Sequence, residues 1–319
     1  MSSQQKHQRK FNWRAIGQSK LAKQIYKARY LYLILLPGII FYIIFSYMPM
    51  YGLTLAFKEF RANLGIMGSP FIGLKNYKYV FQDSEFTRAL LNTLAISVQR
   101  IIIQFPAPII LAVLLNELRS MKLKRTLQTV YTLPHFLSWV IISGIMLNLL
   151  GNNGAVNNLM GAIGLEKQDF LISDKLFRPI IYFSDIWKTA GWTSIIYLAS
   201  IAGIDSSQYE AAYIDGASRF QTIIHVTIPG IGSTIAVLFM LSVGQVMNAG
   251  FEQIFNMYNP AVLDVADILD TYIYRVTFER PTDFGFSTAV SLFKSVINFT
   301  LLIATDRIVK SRGHAGIFY

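Results

Sequence analysis

Two sets of residues in this 319-residue chain have types and spacings that do more than fill space. The first set lies in or beside long apolar runs: Arg100, Trp187, Gln245, Asn248 and Glu252. A charged or amide side chain turned toward lipid is expensive, so Arg100, Gln245, Asn248 and Glu252 are expected to face protein or a polar cavity. On a helix, 245 to 248 is i, i+3 and 248 to 252 is i, i+4, so one face holds all three. Such a face either lines a polar cavity or bonds to a neighbouring span. Arg100 divides the same way, between an anionic path and a structural partner. Trp187 is a stacking surface or a belt aromatic at the membrane interface. Asp185 and Lys188 are spaced to pair on one helix, and the lysine is long enough to snorkel.

The second set occupies the polar stretch GIDSSQYEAAYIDGASRFQTIIHVTIPGI, about 204–229. Ser207 and Glu210 have capping-box spacing. Tyr209, Tyr213, Phe220 and Ile223 recur at roughly helical intervals, Gly216 permits a bend, and Pro229 stops the helix before the next apolar run. Such a helix sets bulky rings beside shallow alanines; the plainer reading is an amphipathic connector with an ordinary cap.

Covalent chemistry is not expected. Cysteine is absent, which removes thiol catalysis and cysteine metal ligands, and the histidines at 7, 135, 225 and 314 are too dispersed for a histidine-cluster metal centre. No G-x-x-x-x-G-K-[ST] phosphate loop occurs. The chain is therefore expected to carry no catalytic residue, no metal and no cofactor of its own.

Composition defines the elements that must position these residues. With 53% hydrophobic and 15% charged residues, the chain is too apolar for a soluble domain and long enough for several membrane spans. Apolar segments lie at about 31–57, 91–115, 130–150, 179–202, 231–249 and 289–304. The last is short and holds Lys294, so its start is expected a few residues earlier, with the lysine snorkelling outward or facing protein. The expected fold class is an all-α membrane protein of six transmembrane helices with both termini cytoplasmic. Net charge is +11, and Lys6, Arg9, Lys10, Arg14, Lys20, Lys23, Lys27 and Arg29 precede the first span with no acid among them. Arg119, Lys122, Lys124 and Arg125 in a short loop, and Arg307, Lys310 and Arg312 after the last run, agree with that orientation. The net-acidic loop 204–229 and the basic residues of 58–88 weigh against it. A basic excess beside an apolar run fits anionic headgroups rather than nucleic acid. The organisation is then a basic cytoplasmic segment 1–30, a six-span domain 31–306 and a cytoplasmic tail 307–319, with an external or interfacial helix within 262–275.

The polar loop carries a family pattern. Glu210, Ala211, Ala212, Asp215, Gly216 and Ala217, followed by Phe220, Val226, Ile228 and Pro229, resemble the EAA loop of membrane subunits of bacterial binding-protein-dependent ATP-binding-cassette importers, of the type I, MetI-like kind. In that family the loop forms a coupling helix seated on the ATPase. The resemblance implies that role for Tyr209, Glu210, Ala211, Ala212, Tyr213, Asp215, Gly216, Ala217, Arg219, Phe220 and Pro229. Val226 stands where isoleucine is common and Ile228 where leucine is, apolar for apolar. FIGLKNYKYVF at 71–81 looks like the FxGLxNY segment of carbohydrate-importer permeases. GFEQIFNMYNPAVLDVADILDTYIYR at 250–275 is similar to the LplB-like branch, which is linked to oligosaccharides, including uronic-acid-containing ones.

The resemblance runs from about residue 30 to the end. It implies a multi-pass permease subunit of the bacterial cytoplasmic membrane that passes an oligosaccharide. Its implied partners are a second, non-identical permease, a cytoplasmic ATPase dimer holding ATP and Mg, and an extracytoplasmic solute-binding protein; nucleic acid is not among them. Two alternatives stand beside it. A secondary transporter would carry inverted repeats or ion-coupling carboxylates within the membrane. A non-transporting structural or receptor protein would leave the capped loop without a motor.

Overall fold

An apolar run in lipid satisfies its backbone only by bonding to itself, which makes helices the rule for such a chain. The computed structural model describes residues 24, 26–279 and 283–311. Of the basic N-terminal residues only Lys27 and Arg29 lie among them; Arg312 and the rest of the tail lie outside. The chain divides into two units, 1–54 and 55–319. In the first, α1 (Arg29–Tyr42) contains Pro37 and has no buried residue. A π turn, Ile43–Tyr47, follows it.

The second unit begins with the end of a 3-10 segment, Met48–Phe57, and α2 (Lys75–Gln82). Asn76 of the FxGLxNY stretch is buried there and donates to the carbonyls of Ala56 and Lys58, both at 3.1 Å. Asp83 caps α3 (Ser84–Gln104) by accepting the Glu85 amide at 2.8 Å. The chain continues into α4 (Pro106–Asn116), where a first-turn proline sacrifices no helix bond. Ser120 and Ser138 cap α5 (Met121–Thr132) and α6 (Trp139–Leu150). Next come α7 (Ala155–Ala162) and the long α8 (Asp174–Ala202). Two short helices, α9 (Ser206–Ile214) and α10 (Arg219–Thr222), lead back to α11 (Gly232–Gly244). The chain closes through α12 (Phe251–Met257), α13 (Leu263–Ala266), α14 (Leu269–Tyr274) and α15 (Phe284–Ser311).

Helix α8 is the axis of this unit. It buries Phe177, Ile181 and Tyr197 completely or nearly so, each such side chain stabilising the packing by about 1.5–3 kcal/mol. Gly191 lets α8 touch α5, because a Cβ there would fall 2.0 Å from the Tyr131 carbonyl oxygen. Lys188 turns inward and donates to the carbonyls of His135 and Leu137. It therefore neither snorkels nor pairs with Asp185.

The six-span class is corrected by the structure. Among the described residues, four helical stretches are long and apolar enough to cross a membrane: Arg29–Phe57, Ser84–Asn116, Trp139–Ala162 and Phe284–Ser311. A fifth is reached only by joining Arg219–Gly230 to Gly232–Gly244 across a 63° bend. The segment 179–202 lies within α8, which at 29 residues is long enough but is not apolar enough to count. Asp174, Lys175, Arg178, Asp185 and Lys188 dilute it, and Arg178, Asp185 and Lys188 are spent on contacts to other helices. The placement of both termini on one side rested on the even count of six, and a count of four to five does not fix it.

Other boundaries move for local reasons. The third segment starts at Trp139 rather than 130, because Pro134 turns Leu133–Phe136 into a 3-10 stretch and Ser138 starts a new helix. The last begins earlier, at Phe284, and Lys294 faces protein, donating to both carboxylate oxygens of Asp270 at 2.6 and 2.8 Å. The stretch expected to form one external or interfacial helix is broken between α13 and α14. Asp267 at the break is fully buried, bonded by Arg275 Nη2 at 2.6 Å and by the Thr271 hydroxyl at 2.8 Å.

Candidate functional site

The polar loop folds as two helices. Asp205 is the N-cap of α9, its carboxylate accepting the Ser207 amide at 3.0 Å. Ser207 therefore sits inside the helix, and the capping box expected of Ser207 and Glu210 does not form. A reciprocal box closes α10 instead: Ser218 accepts the Gln221 amide at 3.4 Å and the Gln221 side chain accepts the Ser218 amide at 2.8 Å. Between the two, Gly216 takes φ +74°. The Ala217 amide donates to Ala212 at 2.9 Å and the Gly216 amide to Tyr213 at 3.1 Å, a left-handed helix stop that glycine favours. The single helix expected over 209–219 thus ends at Ile214.

This geometry leaves bulky side chains in the open. Tyr213, Ile214 and Phe220 are 83%, 82% and 70% exposed, and Glu210, Ala211, Asp215 and Arg219 are exposed beside them. Tyr209 is half-buried, its hydroxyl 3.2 Å from that of Thr227, which ties α9 to the chain that leaves the loop. A depression of about 560 Å³ lies between Ala211, Ala212, Asp215, Gly216 and Ala217 on one side and Gln221, Thr222, His225 and Val226 on the other. Pro229 lies in the helical turn Ile228–Gly230, just before the 63° bend into α11.

A second concavity, of about 460 Å³, opens between α3, α4, α8 and α11. Its wall joins apolar Ile101, Phe105 and Leu241 to the polar groups of Ser97, Gln104, Thr189, Thr193, Ser242, Gln245 and Asn248. Arg100 and Asp185 are its charged residues, with Nη1 and Oδ2 3.7 Å apart. Arg100 Nη2 donates to the side-chain oxygen of Gln253, whose amide nitrogen donates to the Ile181 carbonyl at 2.7 Å and the Ser184 hydroxyl at 2.8 Å. Gln253 is fully buried.

Of the residues picked from the apolar runs, Arg100, Gln245 and Asn248 meet at this wall, and Trp187 and Glu252 are outside it. The single helical face proposed for 245, 248 and 252 does not exist. Helix α11 stops at Gly244, and Ala249 and Gly250 take φ +44° and +80° before α12 starts. Gln245 still accepts a hydrogen bond from Asn248 across the 3-10 turn. The backbone groups freed by the break find side chains: Asn298 accepts the Met247 amide at 3.1 Å, and the Ser97 hydroxyl donates to the Val246 carbonyl. That compensation is what a break within apolar surroundings requires. Sequence reasoning missed Gln253 and Gly250. Their signal is a glycine directly before an amide-bearing helical turn, which reads as an ordinary helix start.

The described residues thus form an all-helical, multi-pass membrane protein with a polar cavity between its helices. Residues 104–313 match the family described as the binding-protein-dependent transport system inner membrane component, and the chain belongs to that family. It is 40% identical over 300 residues, 94% of this chain and 93% of the relative, to the polygalacturonan/rhamnogalacturonan transport system permease protein YteP of Bacillus subtilis (strain 168). To protein LplB of the same organism it is 41% identical over 291 residues, 91% of each chain. A chain of the bacterial alginate ABC transporter, crystallised with an alginate pentasaccharide-bound periplasmic protein, superposes with a TM-score of 0.86 at 37% identity, covering 94% of this chain and 100% of that one.

Proposed function

We propose that this chain is a permease subunit of an ATP-driven importer of oligosaccharides that contain uronic acid. The supporting observation is likeness along nearly the whole length, at 40% identity, to a permease named for polygalacturonan and rhamnogalacturonan. The chain works beside a second, non-identical permease, receives sugar from an extracytoplasmic binding protein, and docks a cytoplasmic ATPase dimer that holds ATP and Mg. Residues 204–229 are the docking loop. Tyr213, Ile214 and Phe220 supply apolar surface that a partner would cover, worth about 1.5–3 kcal/mol for each large side chain fully removed from water.

The test is ATP hydrolysis by the assembled transporter with its binding protein, measured across acidic and neutral oligosaccharides. Stimulation by galacturonate oligomers above that by neutral oligomers of the same length is expected. Equal or greater stimulation by the neutral series would contradict the uronic-acid assignment, and no stimulation by any sugar would contradict import of oligosaccharides.

A further inference from the structure

The guanidinium of Arg100 is firmly placed and poorly filled. It lies against Gly250, where a Cβ would come within 2.6 Å of Nη2 and 2.7 Å of Cζ and Nη1. No other residue type fits at 250 without moving the arginine, and φ +80° there also favours glycine. Gln253 holds Nη2 from the other side and is itself fixed by two acceptors on α8. Guanidinium position is thus set by groups that leave most of its donors unused. Nε is buried with no hydrogen-bond partner. Nη1 has only the 3.7 Å approach to Asp185, longer than the 2.7–3.2 Å of a hydrogen bond. An arginine has five N–H donors arranged as a fork that fits a carboxylate, and among the described residues Gln253 is the one hydrogen-bonded partner seen.

A buried cation without a counter-charge is unstable, and Asp185 supplies that charge at a distance. Both residues line the same cavity, where Gln245, Asn248, Thr189 and Ser242 offer donors and acceptors of the kind that bond hydroxyls. We propose that Arg100 is the specificity-determining residue of this cavity and takes the carboxylate of a passing uronate. The sugar carboxylate accepts from Nη1 on the cavity side, and Asp185 is the resident counter-ion that it replaces. Lys188, one helical turn away on α8, stays bonded to the His135 and Leu137 carbonyls. A neutral sugar has nothing to offer in exchange, so the Arg100 and Asp185 pair stays closed to it. This inference rests on the proposed import of oligosaccharides and adds the atom that reads the acid group.

The test compares trigalacturonate with its fully methyl-esterified form, which has the same rings without the charges. Sugar-stimulated ATP hydrolysis is measured per assembled transporter, with the binding protein saturated by each sugar, and read as the ratio of the two responses. Arg100→Gln should lower the acid-to-ester ratio about tenfold or more, the scale of losing hydrogen bonds to a charged group. Arg100→Lys, which keeps charge but not the fork, should fall between, and Asp185→Asn should raise the ratio by freeing the guanidinium. If Arg100→Gln does not assemble, the lysine and Asp185→Asn variants decide the matter alone. An unchanged ratio in the variants that assemble, with both sugars reduced together, would overturn the assignment and make Arg100 a structural residue. A wild-type transporter that responds to neither sugar would remove the oligosaccharide reading itself and this inference with it.

Discussion

The amide of Ala217 donates to the carbonyl of Ala212 at 2.9 Å, so the chain reverses tightly between α9 and α10 around Gly216 at φ +74°. A Cβ at 216 would meet nothing within 4 Å in this chain. Substitution there has two separable effects, backbone strain and obstruction of a partner. The structure assigns the first to the chain itself and leaves the second to whatever sits on the loop.

Three substitutions separate these effects. Left-handed backbone costs an ordinary L-residue about 1–2 kcal/mol, and asparagine bears it better than most. Gly216→Val should lose sugar-stimulated ATP hydrolysis while the permease pair still forms. Gly216→Ala should be milder. Gly216→Asn should stay near wild type if strain alone matters, and should fail with the others if the ATPase packs against that position. Co-purified ATPase, quantified beside ATP turnover, gives the answer. Normal turnover by Gly216→Val would detach the loop from coupling.

Start signals of α9 give a second prediction. Because Asp205 and not Ser207 is the cap, Asp205→Ala should speed hydrogen exchange at the first amides of α9 severalfold, while Glu210→Ala should leave those amides protected. Backbone and side-chain hydrogen bonds from Ser207 hold the Asp205 carboxyl below the usual carboxylate range. A depressed carboxylate contributes stability above its unfolded pKa and loses it as pH falls through the folded one. Protection of these amides should therefore be flat from neutral pH down to the ordinary range of an aspartate and decline only below it. Equal loss of protection in Glu210→Ala would restore the box at 207 and 210.

Contact between α5 and α8 supplies a third. Gly191→Ala would set a methyl 2.0 Å from the Tyr131 carbonyl oxygen, and neither backbone yields cheaply. Overpacking of this kind costs about 1–3 kcal/mol. The apparent melting temperature of the purified assembly should drop, whereas Gly161→Ala, which meets nothing within 4 Å, should leave it unchanged. An unshifted melting curve for Gly191→Ala would mean the two helices do not approach so closely.

These particulars show where the chain is readable from its residues. The loop 204–229 is legible because small, acidic and aromatic residues at fixed spacing resemble one known segment. The cap is less so, since Asp205, Ser206 and Ser207 are all competent caps and only the backbone decides among them. The cavity is half legible. Arg100, Gln245 and Asn248 stand out as polar residues among apolar ones, but Ala249 at φ +44° resets the helical phase. Alanine gives no sign of such a turn, so Glu252 is misplaced and Gln253 goes unseen. Span counting fails at α8 because Asp174, Lys175, Arg178, Asp185 and Lys188 leave it long enough but not apolar enough.

Uptake into sealed vesicles tests the central claim most directly. The assembled permease pair and ATPase are reconstituted with ATP enclosed on the ATPase side, and binding protein with labelled galacturonate oligomer is supplied outside. The account predicts accumulation of sugar that requires hydrolysable ATP and the binding protein, and that is lost when 209–219 is deleted. Accumulation that proceeds without ATP under an imposed ion gradient, and survives that deletion, would contradict it.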